Sequence, residues 1–288
     1  MKPFPIPVVP FGPGSQTEDD ELEYMHMPQG MHTYKAPVLP EPEEAESLHA
    51  GRDALHAILR EVQSALAGNT PQAVELTGLD AANLALVNQV LGEGEVSARI
   101  EGETETLVQE SVFAGIWRCV TRRGEQVLAD SVQVGPIPSM LAAAARAAAK
   151  AEGPLQVPAV LPPGVMNAPS ILTELNDQLA RRKPGAAASG AHVINLTLLP
   201  LSTEDIDFLD AQLGVGNVVI LSRGYGNCRI SSTAVPYCWR VVYYNSQDAI
   251  ILNTIEVVEM PEVACAARED LEDSNERFTE VLQWVEGE

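Results

Sequence analysis

The residues best suited to a specific activity lie between Val218 and Pro261, where β-branched and aromatic runs alternate with turn sequences. Within this stretch SRGYGNCRI, residues 222–230, places two glycines between two arginines. Exposed backbone N–H groups at such a turn, beside guanidinium groups, suit a carboxylate or a peptide backbone. An ordinary hairpin turn with surface arginines explains the same residues. The candidate partner-binding residues are Arg223, Gly224, Tyr225, Gly226, Asn227, Cys228, Arg229, Trp239, Arg240, Tyr243, Tyr244 and Asn245.

These residue types do not indicate a catalytic centre. Nucleophilic catalysis needs a base within reach of a Ser or Cys, and His192 is the one histidine after residue 56. The GYGNCR sequence lacks a third glycine, a GK[ST] sequence and a following helix, which argues against a nucleotide-binding loop. We therefore predict a protein that is not an enzyme and that uses no cofactor.

The four cysteines, at positions 119, 228, 238 and 265, do not have the close paired spacing of zinc or iron–sulfur ligands. Buried free thiols are the expected outcome, because cysteine behaves as a small core residue. No metal site is predicted, and Cys228 is the candidate ligand if the protein carries a metal. Cysteines without disulfide spacing are also typical of a reducing compartment.

Four short runs between Val218 and Val258 have the spacing of an antiparallel meander. Since strand side chains alternate, Trp239 and Tyr243 should share one face of their strand. Arg240 and Tyr244 should share the other. One face is expected to be core, and the other to carry a cation and aromatic rings.

The chain has 288 residues and a net charge of −22, which argues against direct nucleic-acid binding. Its proline-rich beginning does not resemble a signal peptide, and it has no run of about 18 apolar residues. We expect a cytoplasmic protein without direct membrane insertion.

Residues 1–44 hold eight acidic residues against two lysines and have little periodic apolar content. Such a leader is expected to be an extended, proline-rich, acidic tail. It also contains YMHMPQGM at residues 24–31, whose methionines could dock on the protein body or on a partner. Both alternatives remain open from the sequence.

The sequence pattern indicates an internal duplication. Residues 76–96 match residues 198–218 at an offset of 122 residues, and the same offset relates Trp117 and Arg118 to Trp239 and Arg240. An offset held over more than forty positions predicts a duplicated unit.

The predicted fold is therefore α+β, with two pseudo-repeats that each form a mainly antiparallel sheet with helices packed on it. The predicted boundaries are an N-terminal repeat at 45–152, a proline-rich linker at 153–168 and a C-terminal repeat at 169–288. In each repeat a short strand, about 72–77 and 192–199, precedes a helix that ends in an LGxG sequence. SRGYGNCRI has no counterpart in the first repeat, where IEGETETLV occupies residues 100–108. It is therefore the best candidate for a site.

Several long segments resemble the hydrogenase expression and formation proteins of the HupH/HyaF/HoxQ family. They are SRGYGNCRI, the following WRVVYYNSQDAIILNTIEVVEMPEVACAA, EDLEDSNER, and FGPGSQ and YMHMPQGM in the leader. The resemblance covers nearly the whole chain. It implies an accessory protein for maturation of uptake [NiFe] hydrogenase, acting on the small-subunit precursor before export, together with other maturation proteins.

From the residues and the resemblance together, we predict binding rather than catalysis. The RGYGNCR turn and the neighbouring Trp239, Arg240, Tyr243 and Tyr244 would hold a segment of the precursor, in one arrangement by adding it to a sheet edge. Two alternatives remain open. One is a metal or iron–sulfur carrier that uses Cys228, and the other is a scaffold that joins maturation factors through residues 1–44.

Overall fold

One antiparallel sheet of ten strands runs through the computed structural model, which describes residues 39–150, 153–182, 190–223 and 227–287. The predicted α+β class is confirmed. The strands are β1 Val74–Glu75, β2 Val96–Ile100, β3 Glu105–Glu110, β4 Ile116–Arg123, β5 Gln126–Val134, β6 His192–Asn195, β7 Val218–Ser222, β8 Asn227–Ser232, β9 Cys238–Tyr244 and β10 Ile250–Val257. The meander predicted after Val218 is thus confirmed as β7 to β10.

The helices are α1 Pro42–Ala45, α2 His49–Leu66, α3 Ala81–Leu91, α4 Ser139–Ala148, α5 Ala168–Arg181, α6 Thr203–Leu213 and α7 Arg268–Glu286. Short 3₁₀ turns cover Leu196–Leu198 and Glu262–Ala264. The residue pattern after Pro261 predicts a closing helix over about Val263 to Trp284. The structure has the 3₁₀ turn where that helix should begin, and α7 begins five residues later, at Arg268. Helix ends are the least certain part of such predictions because they depend on local hydrogen bonds.

The helices before β2 and β7 begin and end as the residue types dictate. Asp80 caps α3 by accepting a hydrogen bond from the Asn83 N–H at 2.8 Å, and Ser202 and Asp205 form a capping box on α6. Both helices end at a glycine with positive φ, 57° at Gly92 and 61° at Gly214. Local sequence therefore accounts for both of these helices.

The second glycine of each LGxG sequence has a different role. A Cβ on Gly94 would lie 2.2 Å from the Ser111 carbonyl oxygen, and one on Gly216 would lie 2.2 Å from the Ser232 hydroxyl oxygen. Each glycine N–H also donates to the neighbouring strand, at 2.7 Å for Gly94 and 2.9 Å for Gly216. The chain can approach the sheet this closely because glycine has no side chain.

The strand order is β1-β5-β4-β3-β2-β7-β8-β9-β10-β6. Read from either edge, it gives the same succession of elements, with β2 and β7 adjacent at the centre. This order agrees with the offset of 122 residues found in the sequence. The duplication itself and the proposed repeat boundaries stay predictions.

The Trp-Arg pairs make matching contacts in the two halves. The indole N–H of Trp117 donates to the Gly135 carbonyl at 2.8 Å, and that of Trp239 donates to the Val258 carbonyl at 3.2 Å. Both rings are fully buried. The adjacent arginines tie a strand to a helix, so the shared sequence reflects a shared packing requirement.

The two faces of the sheet are covered differently. One face is buried along the central strands beneath α4 and the 3₁₀ turn at Glu262–Ala264, and Trp117 and Trp239 lie in this core. The opposite face packs against helices at its two ends, with α2, α3 and α7 at one end and α5 and α6 at the other. The central part of this second face belongs to neither end core.

The predicted linker packs on the C-terminal end core. Leu155 and Val165 are buried there, and Asn176 exchanges two hydrogen bonds with the Leu155 backbone, at 2.7 and 2.8 Å. One carboxylate oxygen of Asp205 accepts the backbone N–H groups of Met166, Asn167 and Ala168. These bonds fix the start of α5 against α6.

The strand arginines give a prediction about stability. Arg118 contacts Asp130 on β5 and Asn88 on α3, whereas Arg240 contacts Asn253 on β10 and Asp210 on α6. In the first half the carboxylate partner lies on the strand and the amide partner on the helix, whereas in the second half the amide lies on the strand and the carboxylate on the helix. Asp130→Asn should therefore lower the free energy of unfolding by about 2 kcal/mol, because Asp130 is the one carboxylate among the described residues that pairs with this guanidinium.

Adding Asn88→Asp to that variant reproduces the C-terminal arrangement and should restore stability to within about 1 kcal/mol of wild type. Urea unfolding of the wild type, both single variants and the double variant measures this coupling. Additive effects of the two substitutions would contradict the exchange.

Glu110 gives a pH-dependent prediction. Its side chain is 7% exposed, and its carboxylate accepts the Gly115 N–H at 3.3 Å. Burial raises the pKa of Glu110 to about 7, with further contributions from the negative charges of Glu95 and Asp270. The unfolded chain releases this proton near pH 4.5, so stability from this group is lost as pH rises through about 7.

We expect Glu110→Gln to match the wild type near pH 5 and to exceed its unfolding free energy by up to about 3 kcal/mol at pH 8. Urea unfolding at both pH values measures the difference. Parallel pH dependences of the two proteins would show that Glu110 does not titrate near neutrality.

Candidate functional site

The SRGYGNCRI segment lies at the centre of the sheet. Its two ends are the last residue of β7 and the first residues of β8, while Gly224, Tyr225 and Gly226 lie outside the described residues. β7 pairs with β2 and β8, and β8 pairs with β7 and β9. Addition of a partner strand at this segment was therefore a wrong expectation, because both sides of each strand are already hydrogen-bonded. The sheet edges are β1 and β6.

Strand register divides the candidate residues between the two faces. Cys228, Trp239 and Tyr243 point into the core beneath α4, and Trp239 is 1% exposed. The structure therefore does not place the Trp239 ring on a binding surface. Asn227, Arg229, Arg240 and Tyr244 belong to the opposite face, since directly paired residues of antiparallel strands share a face.

The predicted division of β9 into two faces agrees with this arrangement. Arg240, however, is engaged within the protein. Its guanidinium donates to Asn253 at 2.6 Å and to Asp210 at 2.9 Å, and its side chain is 15% exposed. Because Arg118 makes the matching contacts in the first half, this arginine has a positioning role between sheet and helix.

Asn245 also has a local structural role. Its side-chain oxygen accepts the N–H groups of Gln247 and Ala249, at 2.8 and 3.0 Å, and so shapes the turn between β9 and β10. Arg223 extends the β2–β7 pairing by donating its backbone N–H to the Glu95 carbonyl at 3.2 Å. Burial lowers the pKa of the Arg223 guanidinium, and the negative charge of Glu93 opposes that effect.

A surface with contributions from both halves surrounds Arg229. We call it the open face. Its floor consists of aliphatic side chains that are partly exposed and that join none of the three hydrophobic cores: Leu107, Val120, Val219, Leu221 and Val242. The alternating residues of the same strands, such as Ile220 and Val241, are fully buried on the other side. The open face is thus a partly exposed aliphatic strip on a sheet whose other face is covered there.

Pairing places this strip between the two end cores. One row of paired residues passes from Val132 in the N-terminal end core through Arg118, Gln109, Ser97 and Leu221 to Arg229. The next row passes from Ile255 in the C-terminal end core through Arg240, Ser231 and Val219 to Arg99. Helices α3 and α6 border the strip through their contacts with Arg118 and Arg240.

Arginines give the open face a positive character that contrasts with the chain as a whole. The Arg99 side chain is 48% exposed and pairs with Glu105 at 3.2 Å and with Glu101 at 3.8 Å, and Arg122 pairs with Glu105 at 2.6 Å. The Arg229 side chain makes no recorded hydrogen bond or ion pair with described residues. In a protein with a net charge of −22, such a surface suits an acidic, partly apolar segment.

The cysteine thiols are held in their protonated forms. Burial raises the pKa of Cys119, Cys228 and Cys238 to about 12, and that of Cys265 to about 11. Among the described residues, no group of three or more His, Cys, Asp or Glu side chains is arranged to hold a metal ion. Burial and protonation make the Cys228 thiol slow to react, and the carrier alternative stays a prediction.

This environment predicts slow thiol chemistry. At pH 8 iodoacetamide should alkylate Cys119, Cys228 and Cys238 at least about tenfold more slowly in the native protein than in guanidinium chloride. Cys265, which is partly exposed, should react first. Mass spectrometry of peptides over time measures the four rates, and rapid native alkylation of Cys228 would favour the carrier alternative.

Sequence reasoning missed the part of the open face that comes from the first half. Arg99 and Leu107 were not candidates, because their strands lack the distinctive turn of the second half. Alternation in VSARI, with Val96 and Ala98 buried and Ser97 and Arg99 on the other side, was the available signal. That signal does not reveal that β2 and β7 are neighbours.

Comparison with known proteins shows the family to which the chain belongs. The model of the family described as HupH hydrogenase expression protein, C-terminal conserved region, matches residues 48–157 and 165–285. The chain belongs to the HupH family of hydrogenase expression/formation proteins.

Relatives match over nearly their full lengths. The hydrogenase expression/formation protein HoxQ of Cupriavidus necator is 58% identical, over 99% of both chains. HupH of Rhodobacter capsulatus is 49% identical, over 98% of both chains, and the Hydrogenase-1 operon protein HyaF of Escherichia coli is 35% identical, over 95% of both.

A solved structure of the hydrogenase expression protein HupH from Thiobacillus denitrificans is 29% identical, with a TM-score of 0.36, over 39% of this chain and 92% of that chain. Within the described residues, no helix has both the length and the apolar character needed to span a membrane.

Proposed function

We propose that this protein is a non-catalytic maturation accessory for an uptake [NiFe] hydrogenase, which binds the small-subunit precursor before export. The observation that carries the proposal is the open face, an aliphatic strip with exposed arginine side chains at the centre of the sheet. Family membership supports a role in hydrogenase formation. Other maturation proteins and a cytoplasmic location belong to the same proposal.

The geometry favours a segment that lies across the strands over one that extends an edge. Arg223, Asn227 and Arg229 would contact it at the motif, and Tyr244 is paired with Asn227 beside them. Aliphatic side chains of the segment would cover Val219 and Leu221, while its carboxylates or backbone carbonyls would accept from the guanidinium groups. The negatively charged surface elsewhere would complement a basic export signal.

Replacement of two motif arginines tests this proposal. Arg223→Ala together with Arg229→Ala should weaken precursor binding at least about tenfold, since the loss of even one charged contact costs about 1.5–3 kcal/mol. Anaerobic co-purification followed by titration with labelled precursor measures the affinity. Metal content and absorbance recorded on the same sample report any carried cluster.

The matched control is Arg60→Ala with Arg181→Ala, which removes two exposed arginines from helices α2 and α5. It should bind as the wild type does. Equal precursor binding by the motif variant and the wild type, with both folded, would count against this site.

A further inference from the structure

The open face lacks a cover within the described chain, and its chemistry defines what would cover it. Five aliphatic side chains form the floor, and Arg99 and Arg229 lie among them in adjacent rows of the sheet. A segment that combines carboxylates with apolar side chains would satisfy both features. A basic or purely polar segment would satisfy neither.

The leader of this chain has that composition. Residues 17–27, TEDDELEYMHM, contain five carboxylates and no lysine or arginine. Leu22, Tyr24, Met25 and Met27 follow or interrupt the acidic run. Methionine and tyrosine adapt well to shallow aliphatic surfaces, and the carboxylates complement the arginines.

The first described residues lie on the same side of the sheet as the open face. Helix α1 packs on α7, which packs on α2, and these helices cover Val132 in the N-terminal end core. Val132 belongs to the same row and the same face as Leu221 and Arg229. A segment that precedes residue 39 can therefore reach the open face without passing around a sheet edge.

Distance is compatible with this placement. Fourteen residues lie between Tyr24 and Leu39, and the chain from one to the other spans up to about 50 Å when extended. A chain of this size folds to a radius of gyration of about 19 Å. Covalent attachment also gives the leader an effective concentration on the order of millimolar near the face.

We propose that residues 17–27 of this chain dock on the open face, with their carboxylates on Arg99 and Arg229 and their apolar side chains on Val219, Leu221 and Leu107. The leader then occupies the surface that a precursor would need, and binding of a partner requires its displacement. The docking itself does not depend on the identity of that partner.

Photo-crosslinking in the full-length protein tests the docking. p-Benzoylphenylalanine in place of Tyr24 should give an intramolecular crosslink to peptides of β2, β3, β7 or β8, identified by mass spectrometry in the monomer band. Placed instead of Trp284, which is 53% exposed on α7, it should leave those peptides unmodified.

Charge changes should control the crosslink. Arg99→Gln with Arg229→Glu should lower its yield at least about fivefold, as should 0.5 M salt. Neutralising the leader with Glu18→Gln, Asp19→Asn, Asp20→Asn, Glu21→Gln and Glu23→Gln should have the same effect. The control pair Arg60→Gln and Arg181→Glu makes the same change in net charge on exposed helix positions and should leave the yield unchanged.

Each other outcome overturns the inference. Crosslinks that map to a different surface would show that the leader does not dock on the open face. Crosslink yields that stay the same after the charge changes would show the same. Crosslinks confined to a dimer band assign the face to a second copy of the chain. The precursor assay is separate: a leader that crosslinks to the face, in a protein that binds no precursor, would refute the proposed function alone.

Discussion

The pairing of β2 with β7 is the interaction on which the rest of the structure depends. It joins five strands from each half into one sheet, with Ala98 opposite Ile220 at its centre. Hydrogen bonds from Glu101 to Asn217 and from Arg223 to Glu95 continue the pairing past both strand ends. Without it, each half would expose a long central strand, and such edges favour aggregation.

This pairing also determines where a binding surface can lie. Because the strands that flank SRGYGNCRI are interior, a partner cannot extend the sheet there. It can reach the motif through the side chains that point away from the α4 core, chiefly Arg229 with Leu221 beside it. The helices pack at the two ends of this face and leave its middle partly exposed.

The matching contacts of the two halves separate structural residues from candidate binding residues. Trp239 and Arg240 stand out in the sequence, but Trp117 and Arg118 make the same contacts, so both pairs hold strands to the layers around them. Arg229 has Leu107 at the matching position. Its guanidinium is therefore dispensable for this packing, which leaves it available for a partner.

The sequence by itself determined the local structure. Asp80 and Ser202 start their helices, the first glycine of each LGxG sequence ends them, and period-two alternation assigns the side chains of β7 to β9 to opposite faces. The repeated Trp-Arg pair also pointed to matching units. These features depend on neighbouring residues and on backbone conformation, which local sequence controls.

Only the tertiary structure decided that Trp239 is buried, that SRGYGNCRI lies at the centre of a sheet, and that Arg99 and Leu107 share a surface with Arg229. Alternation tells which residues share a face but not which face other elements cover. That choice follows from the pairing of β2 with β7 and from helix packing, which bring together residues more than a hundred positions apart. The area that these contacts bury leaves no pattern in the local sequence.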